Sequence, residues 1–221
     1  LSDINYLNET IAMDLALELS QQEALSMMLN NDQSGSTTVN YGATSGLRGL
    51  NSYAGSTSSA SFGTSGSAIT NGLHTVLQVA QASATAVSYD DLANLMGALP
   101  AQYLYKPSTA WMMHPDTIMA LRELKDEQGL PLFLDIGEKD GFSVGHIFGH
   151  PVIPNPYMDT VGAGKYPVYL AAWDRFVTIA DNEEMKIQRL EQTQAGFITL
   201  FCEKRVCSTV RDVYAGVRLV G

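Results

Sequence analysis

Basic residues are scarce in this sequence. Its 13 lysines and arginines face 23 acidic residues, which gives a formal net charge of −10. A chain of this charge is a poor general binder of nucleic acid or of anionic membranes, although it can still enclose DNA. No apolar run approaches the roughly 20 residues that cross a bilayer. What is left is a globular chain of 221 residues, 45% apolar, that can bury a sizeable core.

Cysteine is also rare, with only Cys202 and Cys207. They lie five residues apart in a strand-like segment, where side chains alternate between the two faces. We therefore expect no disulfide between them and a reducing compartment. The chain lacks an initiator Met and a signal peptide, since its start, LSDINYLNETIAMD, is acidic and polar. We expect a fragment that begins downstream of the true start.

Signatures of nucleotide, hydrolase and metal sites are missing or incomplete. No G-x-S-x-G motif occurs. The segment 161–167, VGAGKYP, resembles a P-loop, but Tyr166 replaces the hydroxyl residue and Asp159 replaces the first glycine. His146 and His150 have the spacing of a helical zinc pair, yet the glycines and the proline of GHIFGHPV exclude a helix. We predict no catalytic, cofactor or metal site.

The segment AWMMHPDTIMALRELKDEQG, residues 110–129, places His114 beside Asp116 and so suggests an acid–base pair. A structural explanation covers the same residues. STAWMM predicts a strand, His114 takes the N-cap place of a helix, and Pro115 fits the first helical turn. Asp116 is favoured at the positive end of the helix dipole. We interpret the segment as a strand-to-helix hinge whose helix continues to DEQG.

Helices and strands are mixed without a regular βαβ alternation, which predicts an α+β fold. Residues 3–30 read as a long helix with Ser2 as a possible N-cap, and residues 34–72 form a Gly/Ser/Thr-rich loop of which part packs. The segment 73–87 fits strand or helix. A second helix begins at Ser88 with a capping box, Pro100 ends it, and short strands follow, the last ones antiparallel. The apolar stripe expected on the first helix comprises Ile4, Leu7, Ile11, Leu15, Leu19, Leu25 and Leu29.

The order of these pieces resembles the C-terminal two-thirds of a tailed-phage or prophage major capsid protein of the Hong Kong 97-like family. The resemblance rests on SYDDLANLMGALPAQY, on W-M-x-H-P-x-T…L-R-x-L-K-D-x-x-G, on G-x-P-V and on F…C-E-x-R…A-x-x-x-L. It implies a spine helix of a peripheral domain in residues 1–33, an axial domain in 34–180, and C-terminal strands of the peripheral domain in 181–221. The N-terminal arm and extended loop of that family would lie upstream.

The resemblance also implies a function. The chain would be a structural protein, not an enzyme, that assembles with itself into hexamers and pentamers of an icosahedral shell around double-stranded DNA. Its further partners would be scaffold, portal and decoration proteins of the phage. It would need no cofactor and no membrane, and it would reside in the virion capsid after assembly in the host cytoplasm.

Some members of that family crosslink their subunits, a Lys attacking an Asn with a Glu as base. On FITLFCEKR, the Glu corresponds to Glu203, but the Asn position falls on Gly196. We therefore expect no crosslinking. Glu203 is interpreted as an ion-pair partner of Arg205 or of a neighbouring subunit.

Three other interpretations stay open at this point. An encapsulin is a bacterial shell of the same fold that holds enzymes. An enzyme would need His114, Asp116, His146 and His150 to converge on a cleft. A surface adhesin is suggested by the Ser/Thr-rich loop, although we find no signal peptide and no internal repeat.

Overall fold

The computed structural model of the chain describes residues 2–29, 47–58, 61–62, 74–125, 129, 144–190 and 199–221. Its α-helices are α1 (Ser2–Leu29), α2 (Tyr89–Ala98), α3 (Ala101–Leu104), α4 (Pro115–Arg122) and α5 (Trp173–Phe176), with 3₁₀ turns at Leu50–Ser52 and Val213–Ala215. Its strands are β1 (Ala54–Ser56), β2 (Ser61–Phe62), β3 (His74–Ala80), β4 (Thr109–Met113), β5 (His146–Ile147), β6 (His150–Pro154), β7 (Val168–Ala172), β8 (Val177–Leu190), β9 (Thr199–Val210) and β10 (Gly216–Val220).

Most strands form one mixed central sheet in the order β1-β3-β10-β7-β4-β6-β5, with β2 also against β3. Strand β10 is parallel to β3 and antiparallel to β7, and β4 is antiparallel to β7 and parallel to β6. β8 and β9 form a separate antiparallel pair, here called the ribbon. The expected α+β class and the antiparallel C-terminal strands are confirmed.

Both faces of the central sheet are buried, and strand β7 shows how. Val168 and Leu170 point to a cluster that includes residues of α2 and α4, whereas Tyr169 and Ala171 point to a second cluster with Met28 of α1. All five residues of β7 are buried because helices and loops cover both sides of the sheet. The sheet is therefore the centre of the fold, and α1 and the ribbon attach to one of its faces.

Local start signals predict two helices correctly. The Ser88 side chain accepts a hydrogen bond from the backbone N–H of Asp91, and the Asp91 carboxylate accepts one from the N–H of Ser88. Nδ1 of His114 accepts from the N–H of Asp116 at 3.1 Å, with Pro115 as the first helical residue. Each cap satisfies backbone donors that the helix itself leaves free, which is why the sequence signal is local.

Several expectations need correction. On α1, Met28 is buried and Leu29 is exposed, because the stripe that meets the sheet is rotated by one residue at this end. Helix α4 ends at Arg122 rather than at DEQG, and Phe176 lies in the short α5 rather than in a strand. The ambiguous segment 73–87 contains strand β3, and Leu50 in the Gly/Ser-rich loop is buried as expected.

Strand β10 lies in the central sheet, although the sequence predicted it in the peripheral domain. Its residues pair with β3 and β7 inside the central sheet and not with the ribbon. The segment expected to end the peripheral domain thus divides into a ribbon strand, β9, and a strand of the central sheet, β10. The reason is burial: Val217 and Leu219 fill the cluster on one face, and Arg218 lies on the other.

Candidate assembly surface

Helix α1 carries apolar side chains on two sides: Ile11, Leu15 and Leu19 are half-buried on one, and Met13 and Leu17 lie on another. Residues spaced by 3.6 share a face, so Met13, Leu17, Ala24 and Met28 fall on the same side. At the C-terminal end Met28 packs under the sheet and is 7% exposed. Towards the N-terminal end Met13 and Leu17 are 72% and 60% exposed. The packing face of the helix therefore extends beyond the part that the sheet covers.

The ribbon has an inner and an outer face. Side chains alternate along β9, and those of Cys202, Lys204 and Val206 point inward, where they are half-buried. Phe201, 45% exposed, points outward opposite Gln188, and the exposed Leu190 is its diagonal neighbour on the same face. A two-stranded ribbon cannot cover both of its faces. Together, Met13, Leu17, Leu190 and Phe201 define what we call the assembly surface.

One ion pair fixes the ribbon to α1. Nζ of Lys204 lies 2.7 Å from Oε2 of Glu23 and 3.7 Å from Oδ1 of Asp181. The hydrogen bond to Glu23 raises the pKa of Lys204 above its ordinary value, with the charge of Asp181 adding to the effect. Both partners of the short pair are only about one-fifth exposed. The pair therefore holds the ribbon along the helix more firmly than an exposed ion pair would.

The root of the ribbon is bonded to segments that flank the central sheet: the turn before β1, α3 and α5. The N–H of Val210 donates to the hydroxyl of Tyr53 at 3.2 Å, and the N–H of Arg211 donates to the carbonyl of Phe176 at 2.8 Å. The hydroxyl of Tyr103 donates to Oδ2 of Asp212 at 2.6 Å, which raises the pKa of that tyrosine. These bonds join the end of β9 to three separate segments of the chain. They therefore fix the direction in which the ribbon extends from the central sheet.

The histidines do not form a site. Ile147 and His150 are cross-strand partners in the β5–β6 hairpin, so their side chains share a face and His146 points to the other one. His114 serves as the N-cap of α4. Burial lowers the pKa of His150, which favours its neutral form in a structural position. Within the described ranges, no three His, Cys, Asp or Glu side chains are grouped so that they could hold a metal ion.

The remaining candidate residues have structural surroundings. Asp159, from the incomplete P-loop, accepts from the side chain of Asn51 at 2.8 Å and from the N–H of Tyr166 at 3.2 Å. Glu203 lies opposite Lys186 across the ribbon, and its proposed pairing with Arg205 stays a prediction. Gly196 lies outside the described residues. Cys202 and Cys207 are free thiols on opposite faces of β9, as expected.

Sequence reasoning missed two features of this surface. Met13 and Leu17 stand apart from the leucine stripe that we expected to pack, although their spacing of four is a helical-face signal. The Glu23–Lys204 pair joins residues 181 positions apart, and no local pattern predicts such a contact. Of the described helices, none is long and apolar enough to span a membrane.

Comparison with known proteins decides the family. Residues 1–220 match the model of the phage capsid family. The chain belongs to the phage capsid family. It is thus a capsid structural protein, and the α+β capsid fold expected from its sequence is confirmed.

Solved capsids agree with this membership in fold. The chain is similar to the capsid of an empty GTA particle and to that of a native GTA particle, with a TM-score of 0.73 and 21% identity in both cases. It is also similar to a chain from Gordonia phage Cozz, with a TM-score of 0.59 and 12% identity. These matches cover 96%, 96% and 97% of this chain.

The capsid chain described here spans less than two-thirds of those relatives, namely 65% of both GTA chains and 63% of the Gordonia phage chain. No match is found among curated proteins.

Proposed function

We propose that this capsid protein is the major capsid subunit of a tailed phage or prophage, which assembles with itself into hexamers and pentamers of an icosahedral shell around double-stranded DNA. The observation that carries the proposal is the assembly surface. Met13, Leu17, Leu190 and Phe201 are large apolar side chains exposed on two thin elements, a helix and a ribbon. Such side chains gain stability when a neighbouring subunit covers them.

The geometry of α1 favours a shell over a small closed oligomer. A helix of 28 residues is roughly 42 Å long at about 1.5 Å per residue, and the side that carries Met13, Leu17 and Met28 is covered only at the Met28 end. The ribbon extends the molecule further, with one exposed face along 14- and 12-residue strands. Extended, thin contact elements let each subunit touch several neighbours, which repeated contacts in a closed shell require.

The charge supports enclosure of DNA without tight binding. A net charge of −10 repels the phosphate backbone, so packaged DNA would slide along the shell interior. Replacement by Lys of several exposed acidic residues on the helices beside the central sheet, such as Asp90, Asp116 and Glu123, should therefore impair packaging. Unchanged packaging in such variants would contradict this part of the proposal.

Within the shell, we propose the central sheet as the axial domain and α1 with the ribbon as the peripheral domain. The pairing of β10 favours assigning residues 213–221 to the axial part, rather than the division at 1–33, 34–180 and 181–221. Scaffold, portal and decoration proteins are proposed partners, and assembly is proposed to take place in the host cytoplasm.

Electron microscopy of the full-length gene product, expressed alone and beside the 221-residue chain, tests the proposal. We expect closed polyhedral shells from the full-length product and only monomers or small rings from the shorter chain. A full-length product that stays monomeric at high concentration, even with its neighbouring genes co-expressed, would contradict it. Portal, protease and terminase genes beside the coding sequence are expected for a phage, and a cargo-enzyme gene for an encapsulin.

A further inference from the structure

Every charged side chain of helix α1 is acidic. The segment Ser2–Leu29 contains no Lys, Arg or His, and its five acids are Asp3, Glu9, Asp14, Glu18 and Glu23. Together they account for half of the net charge of −10. Asp14 and Glu18 stand four residues apart, a spacing at which like charges destabilise a helix. This charge pattern therefore does not serve the stability of the helix itself.

Asp14 and Glu18 lie next to the exposed apolar side chains of α1. Both acids are exposed, and they alternate along the chain with Met13 and Leu17, which are 72% and 60% exposed. The carboxylate of Glu18 accepts a hydrogen bond from the side chain of Gln22 at 2.9 Å. Among the residues that the structure describes, no cation lies within ion-pair distance of Asp14 or Glu18. This part of α1 is a surface of apolar and acidic side chains.

Such a surface is not complementary to a second copy of itself. A contact between two equal α1 faces across a two-fold axis would bring Asp14 and Glu18 of one subunit against the same residues of the other. Opposed like charges disfavour a contact, and α1 contains no basic residue that could offset them. Met13 and Leu17 therefore require a different surface as their partner.

The outer face of the ribbon carries charges of both signs. On β9, Glu203 and Arg205 point to the same side as Phe201, and Lys186 lies opposite Glu203 on β8. Lys186 and Arg205 also have interactions within their own chain, so this face is of mixed sign and not a surface of free positive charge. It offers the apolar side chains of Leu190 and Phe201 to a partner without a uniform row of acids.

The ribbon already packs against one helix on its inner face. Lys204 points inward and pairs with Glu23 in the C-terminal half of its own α1. An α-helix is about 10 Å across, and paired strands are about 4.8 Å apart, so one helix covers one face of a two-stranded ribbon. The outer face has the same width and can take a second helix in the same way.

We propose that Met13 and Leu17 on α1 of one subunit pack on Leu190 and Phe201 of a second copy, on the outer face of its ribbon. Each ribbon then lies between its own helix and the helix of a neighbour. The contact is head-to-tail, because each subunit gives its helix to one neighbour and its ribbon to another. Contacts of this type close into rings. This inference rests on the proposed shell function and names the two parts of the assembly surface that meet.

Crosslinking in assembled shells tests the contact. The full-length protein without its native cysteines serves as the background, in which Met13→Cys and Leu190→Cys are made separately. Cysteine is a small apolar residue, so each site stays apolar. Shells assembled from both variants together, and from each alone, are treated with a short bismaleimide reagent, and dimers are counted on a denaturing gel. We expect dimers from the mixture and none from either variant alone.

A second pair and a control complete the design. Leu17→Cys mixed with Phe201→Cys should give the same result, so that a folding or assembly defect in one variant does not decide the outcome. Met119→Cys lies at a 54% exposed position on α4, outside the assembly surface. It should give no dimers with any of the four variants.

Two results overturn the inference. Dimers in shells of Met13→Cys alone would show that equal α1 faces are in contact. Shells in which neither mixed pair crosslinks would show that the helix and the ribbon of different subunits do not meet. In both cases shells have formed, so the proposed shell function stands. A parent protein that forms no shells contradicts that function, and this inference with it.

Discussion

Arg218 is a fully buried cation in the middle of the central sheet. Its guanidinium stacks at 3.8 Å on the ring of Tyr166, and Nη2 donates to the carbonyl of Tyr53 at 2.8 Å and to Oε1 of Gln78 at 3.3 Å. Burial of a charge is costly unless such contacts replace its hydration. The same side chain ties three separate segments together, so its value lies in fixing their positions relative to the sheet.

Arg218→Lys should destabilise the protein by about 2 kcal/mol, since an ammonium group can neither stack flat on Tyr166 nor donate in the fork geometry. Equilibrium unfolding in urea measures the change. Arg175→Lys, at a half-exposed position, is the control and should cost less than about 0.5 kcal/mol. Equal effects at the two sites would contradict this role for Arg218.

Gly216 is required by a close approach and not by its backbone angles, which are extended. A Cβ at this position would lie 2.6 Å from Cδ2 of Phe176, a ring that is fully buried and cannot move aside. Gly216→Ala should therefore cost about 1–3 kcal/mol through overpacking. Gly97→Ala in α2, where nothing lies within 4 Å, should instead stabilise by about 0.5–1 kcal/mol.

At the scale of the elements, features set by neighbouring residues could be predicted from the sequence, whereas features set by distant contacts could not. Ser88 and His114 mark their helices because a cap interacts with backbone within three residues. The place of β10 could not be predicted, because its partner β3 lies about 140 residues away and short apolar segments pair in many ways. The assembly surface could not be predicted for the same reason. Whether Met13 is exposed depends on how far the sheet extends along α1, and that is a tertiary contact.

The attachment of the ribbon to α1 should depend on pH in the alkaline range. The folded pKa of Lys204 is raised above its ordinary value of 10.5, so its ion pair with Glu23 stabilises fully below that value. The stabilisation is lost as the pH rises through the folded pKa. The difference in unfolding free energy between the parent and Lys204→Met should be constant from about pH 7 to 9 and shrink above about pH 10.5.

Lys125→Met, which removes an exposed lysine, provides the comparison for this titration. Its difference from the parent should stay near zero throughout the same pH range. A Lys204→Met difference that is flat into the alkaline range would show that the pair contributes nothing to stability.

At the scale of the whole molecule, we expect buried side chains to serve folding and exposed apolar side chains to serve the proposed assembly. The two clusters on the central sheet are closed, whereas Leu17 and Phe201 remain exposed on the helix and the ribbon. Leu17→Glu and Phe201→Glu should therefore abolish shell formation by the full-length protein while the melting temperature changes little, because neither side chain belongs to the two buried clusters.

Sedimentation velocity separates shells from free subunits in these variants, and circular dichroism reports their folding. Met119→Glu, at an exposed position on α4 outside the assembly surface, should assemble like the parent. Normal shells from both surface variants would contradict the proposed role of the assembly surface in contacts between subunits.

The position of β10 also has a consequence for the nascent chain on the ribosome. This strand lies between β3 and β7, yet it follows both in the sequence. Until residues 216–220 have left the exit tunnel, the sheet has a gap at its middle, and pairing over such a distance is slow. The subunit thus becomes complete only after the ribbon has been made. Translation itself then delays the moment at which subunits can begin to meet.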